Sequence, residues 1–169
     1  MKARSSARQH PEQGVAAVEF ALILPVLILM IGAIIDFGFI FAQQIAYNTS
    51  ARDAARAGVL PSVGGVKLTC GQVALKARTS AASGAVGTAP LNLGVTVTGA
   101  GGSCSLAVGS ASASGASASY PCTGSGAAGA TQTDLAVSLS YTSTQPFPVP
   151  FMGSITLGSK GNFQCEYTA

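Results

Sequence analysis

Side chains able to do chemistry are scarce in these 169 residues, and their spacing argues against a catalytic centre. His10 is the only histidine, and beyond residue 42 the carboxylates are Asp53, Asp134 and Glu166. Nucleophilic catalysis needs a positioned base, and general acid and base work needs two groups held in different environments; neither arrangement is visible. Glycine-rich stretches such as Gly99–Gly102 lack the strand, glycine loop and helix of a phosphate cradle, and its lysine is missing. Asp134 and Glu166 are too few for a calcium site, and the cysteines form no CxxC or Cys/His cluster suited to zinc. The expectation is a chain that is not an enzyme, with no cofactor, no metal and no small-molecule substrate.

The cysteines themselves are informative. Cys70, Cys104, Cys122 and Cys165 all follow a long apolar segment, which fits two disulfides in an oxidising compartment. Four cysteines allow three pairings, and sequence leaves them open. Cys104 and Cys122 bracket the middle of a Gly, Ala and Ser tract and would close a loop of about 19 residues, offsetting roughly 3 kcal/mol of chain entropy. That pairing would leave Cys70 to join Cys165.

Two further carboxylates, Glu19 and Asp36, flank the apolar run FALILPVLILMIGAII from Phe20 to Ile35. Sixteen residues rise about 24 Å, short of a hydrocarbon core near 30 Å, so a membrane span must extend into Val15–Val18 or Phe37–Ala42. The two acids then fall near opposite edges, within reach of headgroup water. Lys2, Arg4 and Arg8 precede the run and few basic residues follow it closely. The positive-inside bias therefore predicts a cytoplasmic N-terminus and a C-terminal portion outside. The run is too long for an ordinary signal-peptide core, so retention as an anchor is expected.

Composition agrees. Only 9% of residues are charged against 48% apolar, and the net charge of +3 lies largely in the leader. That balance reads as a targeting signal and gives no surface for nucleic acid. Gly32 and Gly38 are spaced i, i+6 and do not make a GxxxG packing face, which favours a lipid-facing helix.

From Gln13 to Val59 the parts occur in a particular order. Gly14 precedes a short small-residue stretch, Val18-Glu19-Phe20 follows, Leu24-Pro25 lies early in the apolar helix, and Asp36-Phe37-Gly38 closes it before the run ARDAARAG at Ala51–Gly58. This segment resembles the N-terminal region of TadE-like proteins, minor pseudopilins of the tight-adherence (Flp) pilus system. The segment STQPFPVPFMGSITLGSKGNFQCEY resembles their C-terminal regions, where a proline-interrupted aromatic turn joins two strands. The resemblance implies that a prepilin peptidase cuts between Gly14 and Val15, which makes Gly14, Val15, Glu19 and Phe20 the processing residues. Glu19, one helical turn beyond the new amine, could pair with it or with a neighbouring subunit. The major pilins of that system are much shorter and carry Glu-Tyr where this chain has Glu19-Phe20, so the resemblance implies the minor role.

These elements must position such residues. Gln43–Ala57 is rich in Ala, Gln and Arg without Gly or Pro, so the anchor helix is expected to continue outward as a stem ending at Gly58. Arg52, Asp53 and Arg56 on that stem are assembly contacts or a solvated charged face, and Ala46, Ala54 and Ala57 offer a small-residue face to a second helix. Lys67–Ala82 reads as that helix. Asn92–Thr98, Asp134–Thr142 and Ser154–Leu157 with its continuation through Asn162–Tyr167 alternate as strands do. The tract from Gly99 to Gln132 reads as a mobile loop or extended hairpin. Phe147, Phe151 and Met152 are either an exposed contact patch or, as preferred here, core beneath the turn.

The expected fold class is thus α+β and pilin-like: a long transmembrane helix extended as a stem, then a short helix on an antiparallel sheet of three or four strands. The expected divisions are a basic leader at 1–14, the anchor and stem at 15–58, and an exported domain at 59–169 with a low-complexity loop at 99–131. Expected partners are the inner membrane, a prepilin peptidase, and other pilin subunits with their assembly machinery. The alternative is a bitopic protein with a permanent anchor and an extracytoplasmic binding domain.

Overall fold

The computed structural model describes residues 12–60, 67–122, 134–144, 146–147 and 153–165. The leader residues Lys2, Arg4, Arg8 and His10, together with Phe151, Met152 and Glu166, lie outside them.

Apolar and alanine-rich sequence without a helix breaker other than Pro25 gives one helix, α1 (Glu12–Val59), of 48 residues. At 1.5 Å per residue it is about 72 Å long. It continues through Pro25, whose missing amide a long apolar helix tolerates.

The second helix, α2 (Cys70–Gly84), starts and ends slightly later than the sequence spacing predicts, because Thr69 caps it. The Thr69 hydroxyl accepts from the Gln72 amide, and the Gln72 side chain accepts from the Thr69 amide. This reciprocal pair satisfies two of the donors that a helix start leaves open.

The sheet has five strands, all antiparallel: β1 (Leu93–Gly99), β2 (Gly102–Leu106), β3 (Ser114–Gly115), β4 (Asp134–Ser143) and β5 (Ile155–Gln164), ordered β3-β2-β1-β4-β5. The fold class is α+β as expected, with five strands in place of three or four. The extra strands come from the Gly, Ala and Ser tract, expected as a loop or hairpin. Its first part is a hairpin partner of β1, because Cys104 and Leu106 alternate inward and give the segment a buried face.

Both helices lie on one face of the sheet. The core joins Tyr47, Ala51, Ala54 and Ala55 of α1 to Val73, Ala74, Ala77 and Ala81 of α2, above Val95, Val97, Leu135, Val137 and Leu139. Small alanines let the helices and sheet approach closely. The limit is reached at Gly161 on β5, where a Cβ would stand 2.6 Å from the Ala51 carbonyl oxygen. The C-terminal half of α1 is therefore a packed element of the domain as well as a continuation of the apolar helix. The other face of the sheet carries hydroxyls in cross-strand register, Ser114, Ser105, Thr96 and Ser138, ending at Lys160.

The disulfides differ from the expected pairing. Cys70 joins Cys104 and Cys122 joins Cys165, with Cα separations of 6.1 and 5.6 Å. The expected Cys104–Cys122 and Cys70–Cys165 bonds are thus corrected. Loop length favoured the nearest pair in sequence, but the hairpin puts Cys104 on the covered face of β2 beneath the start of α2. Cys122 meets Cys165 at the end of the sheet where β1 and β5 finish and β4 begins. One bond ties helix to sheet, and the other fastens the returning loop to the last strand.

Candidate functional site

Among the described residues no group of His, Cys, Asp and Glu could hold a metal ion. The candidate site is the surface of α1, in three zones.

The first zone is the helix start. Gly14 and Val15 lie in the first turn of α1, with Val15, Glu19 and Phe20 all exposed. The first turn of a helix has amides without intrahelical partners, and glycine weakens a helix by about 1 kcal/mol relative to alanine. The Gly14–Val15 bond is therefore in the part of α1 that unwinds at least cost. Glu19 stands four residues beyond Val15, one turn on and on the same face of the helix.

The second zone is the exposed helix from Val15 to Ile31, apolar except for Glu19 and unburied throughout. Among the described residues this is the one helix long and apolar enough to cross a membrane. It gives the chain a single candidate span near its N-terminus.

The third zone begins at Gly32, where the domain closes on the helix. The Phe147 ring packs over Gly32, 3.1 Å from where a Cβ would be. Four residues on, Asp36 is 0% exposed and its Oδ1 accepts the Phe147 backbone N–H at 3.1 Å. Its Oδ2 has no hydrogen-bond partner among the described residues. Gln43 then holds two segments at once: Nε2 donates to the Val86 carbonyl at 3.1 Å, and Oε1 accepts from the Ser143 hydroxyl at 2.7 Å. Tyr47 shares a 2.7 Å hydrogen bond with Thr88 and packs against Tyr141. Gln44 donates to the Gly158 carbonyl at 2.8 Å. Side chains one or two turns apart on α1 thus fix both the 85–88 turn and the end of β4.

Several expectations change here. Asp36 was expected to reach headgroup water and is instead covered by protein. Gly32 belongs to a contact within the chain, whereas a Cβ at Gly38 would meet nothing within 4 Å among the described residues. Phe147, expected as core, is 45% exposed and rests on α1.

The expected assembly residues Arg52, Asp53 and Arg56 are all exposed near the far end of α1. Arg52 lies beside Lys160, Asn162 and Phe163 around an open groove of about 470 Å³. Glu19 is 33 positions away, about 50 Å along the helix, so the residues expected to direct processing and the Arg52 region form no common site within one molecule. Sequence reading missed Gln43, Tyr47 and the Asp36 contact. Their signal is faint: polar residues inside or just beyond an apolar run, with partners about 40 to 110 positions away.

Arg78 was not singled out either. It is 3% exposed, and donates to the Ala107 carbonyl at 2.7 Å and to that of Ser110. Burial pulls its guanidinium below the ordinary arginine range. It fastens the turn after β2 and has a structural task.

Among the described residues, one long apolar helix leads into a disulfide-bonded α+β domain. A family model described as TadE-like protein matches residues 14–56, nearly the whole of α1. The resemblance to TadE-like proteins is thereby carried by the helix, from the proposed cut to the Arg52 region. No curated protein and no solved structure matches the chain.

Proposed function

We propose that the chain is a minor pilin-like subunit of a Tad/Flp-type pilus used for adherence or secretion. In this reading α1 holds it in the inner membrane, with the leader cytoplasmic and the disulfide-bonded domain outside. A prepilin peptidase removes residues 1–14 and leaves Val15 as the new N-terminus. The observation that carries the reading is the family match, which begins at Gly14 and takes in Glu19 and the apolar helix.

Physical chemistry supports each step. The bond to be cut lies in the first turn of the helix, and Glu19 is exposed on lipid-facing sequence. An unpaired carboxylate there is costly, so a neighbouring subunit's amine at Val15 is a favourable partner. Arg52, Asp53 and Arg56, exposed at the other end of the rod, contact further subunits or the assembly machinery.

The test is Glu19→Ala in the native host. The variant is expected to reach the membrane in normal amount while pilus formation falls; normal pili would remove the assembly role given to Glu19. The groove beside Arg52, Lys160 and Asn162 favours one second reading, a permanent anchor carrying a ligand-binding domain. That reading requires an intact leader.

A further inference from the structure

Position along α1 converts into depth in a bilayer. A hydrocarbon core of about 30 Å takes roughly 20 helical residues, so it ends between Ile35 and Ile40 whether it begins at Val15 or Phe20. Gly32 and Asp36 fall at or below that boundary. Phe147, which packs on Gly32 and donates to Asp36, is held at the same depth.

The end of the domain around this contact has an unusual surface. Its described segments, 84–92, 107–110, 144, 146–147 and 153–154, contain no charged residue. They expose Val86 (77%), Val108 (63%), Leu91 (49%) and Phe147 (45%). Val86 and Phe147 are tied to α1 within two turns of each other through Gln43 and Asp36. Leu91 and Val108 lie together beyond them, since the Leu91 carbonyl accepts the Gly109 amide. Arg78, the cation beneath that turn, faces inward. Lys67 and Asp134 lie toward the opposite end of the sheet, and Lys160 is on its open face.

We propose that this end of the domain is a lipid-docking surface: Phe147 enters the acyl boundary of the membrane crossed by α1, and Val86 lies among the headgroups above it. The inference rests on reading α1 as a membrane span, which fixes the occupant: the bilayer around the helix is the surface these side chains meet. It also gives the Asp36 contact a purpose: at that depth an unpaired amide is costly, and the Phe147 N–H is paired by Asp36 Oδ1. Pro146 contributes no amide. Aromatic and aliphatic side chains without charge suit the interface.

The chain has no tryptophan, so a single introduced one reports alone. Phe147→Trp, Val86→Trp, Ile28→Trp and Thr98→Trp are reconstituted separately at about one protein per vesicle in phosphatidylcholine, with and without lipid brominated near the headgroup end of its chains. Emission from the Phe147→Trp protein is expected to be blue-shifted and to lose most of its intensity with brominated lipid. The Val86→Trp protein should be quenched less, and the Thr98→Trp protein, whose site is at the far end of β1, not at all. Quenching of Ile28→Trp confirms the span independently. If Ile28→Trp is quenched by lipid while Phe147→Trp and Val86→Trp are quenched only by aqueous iodide, docking is wrong and the span stands. If Ile28→Trp is also untouched by lipid, span and docking fall together. Shielding of Phe147→Trp that develops only as protein density rises would mean that a second copy covers this surface, and would overturn the lipid assignment.

Discussion

Asp36 shows how one side chain sets the geometry of a much larger contact. A carboxylate inside an apolar helix needs cover, and a single backbone amide from the loop after β4 supplies it at 3.1 Å. Asp36→Ala leaves the Phe147 amide unpaired and is expected to cost about 1–3 kcal/mol, read as a lower unfolding temperature in detergent. Asp36→Asn keeps an acceptor oxygen and should restore most of that loss; equal damage from both variants would mean that the hydrogen bond is not what holds the loop. Gly161 makes the same point through shape. A methyl group there meets the Ala51 carbonyl at 2.6 Å, and neither backbone can yield easily. Gly161→Ala should destabilise by about 1–3 kcal/mol or more, as overpacking does. Gly158→Ala on the same strand, where the nearest atom is 4.0 Å away, should cost much less. Denaturant unfolding of the two variants checks this difference.

The elements were legible in the sequence to different degrees, for identifiable reasons. α1 is readable because sixteen uncharged residues and an alanine-rich continuation have few other solutions. β4 is readable because Leu135, Val137, Leu139 and Tyr141 alternate with the small or polar Ala136, Ser138 and Ser140. α2 was placed slightly early because the Thr69 to Gln72 capping box outweighs the helix-favouring residues before it. β2 was hidden: its inward positions are a cysteine and one leucine among glycines and serines, so its strand character comes from pairing with β1 and from the bond to Cys70. β3, two residues long, exists only as an edge pair of β2 and has no sequence signal of its own. The disulfide pairing failed for a related reason. Loop-closure entropy ranks pairs by sequence separation, whereas strand register decides which cysteines share a face. The observed bonds close segments of 34 and 43 residues, each worth roughly 4 kcal/mol in the chain-entropy account. Replacing both cysteines of either bond by serine should lower stability by about 2–5 kcal/mol. Peptide mapping without reduction should link Cys70 to Cys104 and Cys122 to Cys165; a Cys104–Cys122 peptide would contradict the fold near α2.

At the scale of the whole molecule, one continuous helix changes character along its length. Its first half is bare and apolar, and its second half is part of a domain core that also depends on α2 and the sheet. Because Gln43, Gln44 and Tyr47 bind three separate segments of the domain, the domain is held at a defined height along the helix. The candidate processing residues were visible from sequence because they are local, within two turns of helix. The contacts that position the domain were not, because each joins residues far apart in the chain and appears only once the sheet has formed.

The central claim concerns one bond. Intact-mass measurement of the protein purified from membranes of its native host, with N-terminal sequencing, tests it most directly. The account predicts a mature chain beginning at Val15 in cells with prepilin peptidase, and the uncut chain when that peptidase is removed. A protein that keeps Met1–Gly14 in cells where the peptidase is active would contradict it.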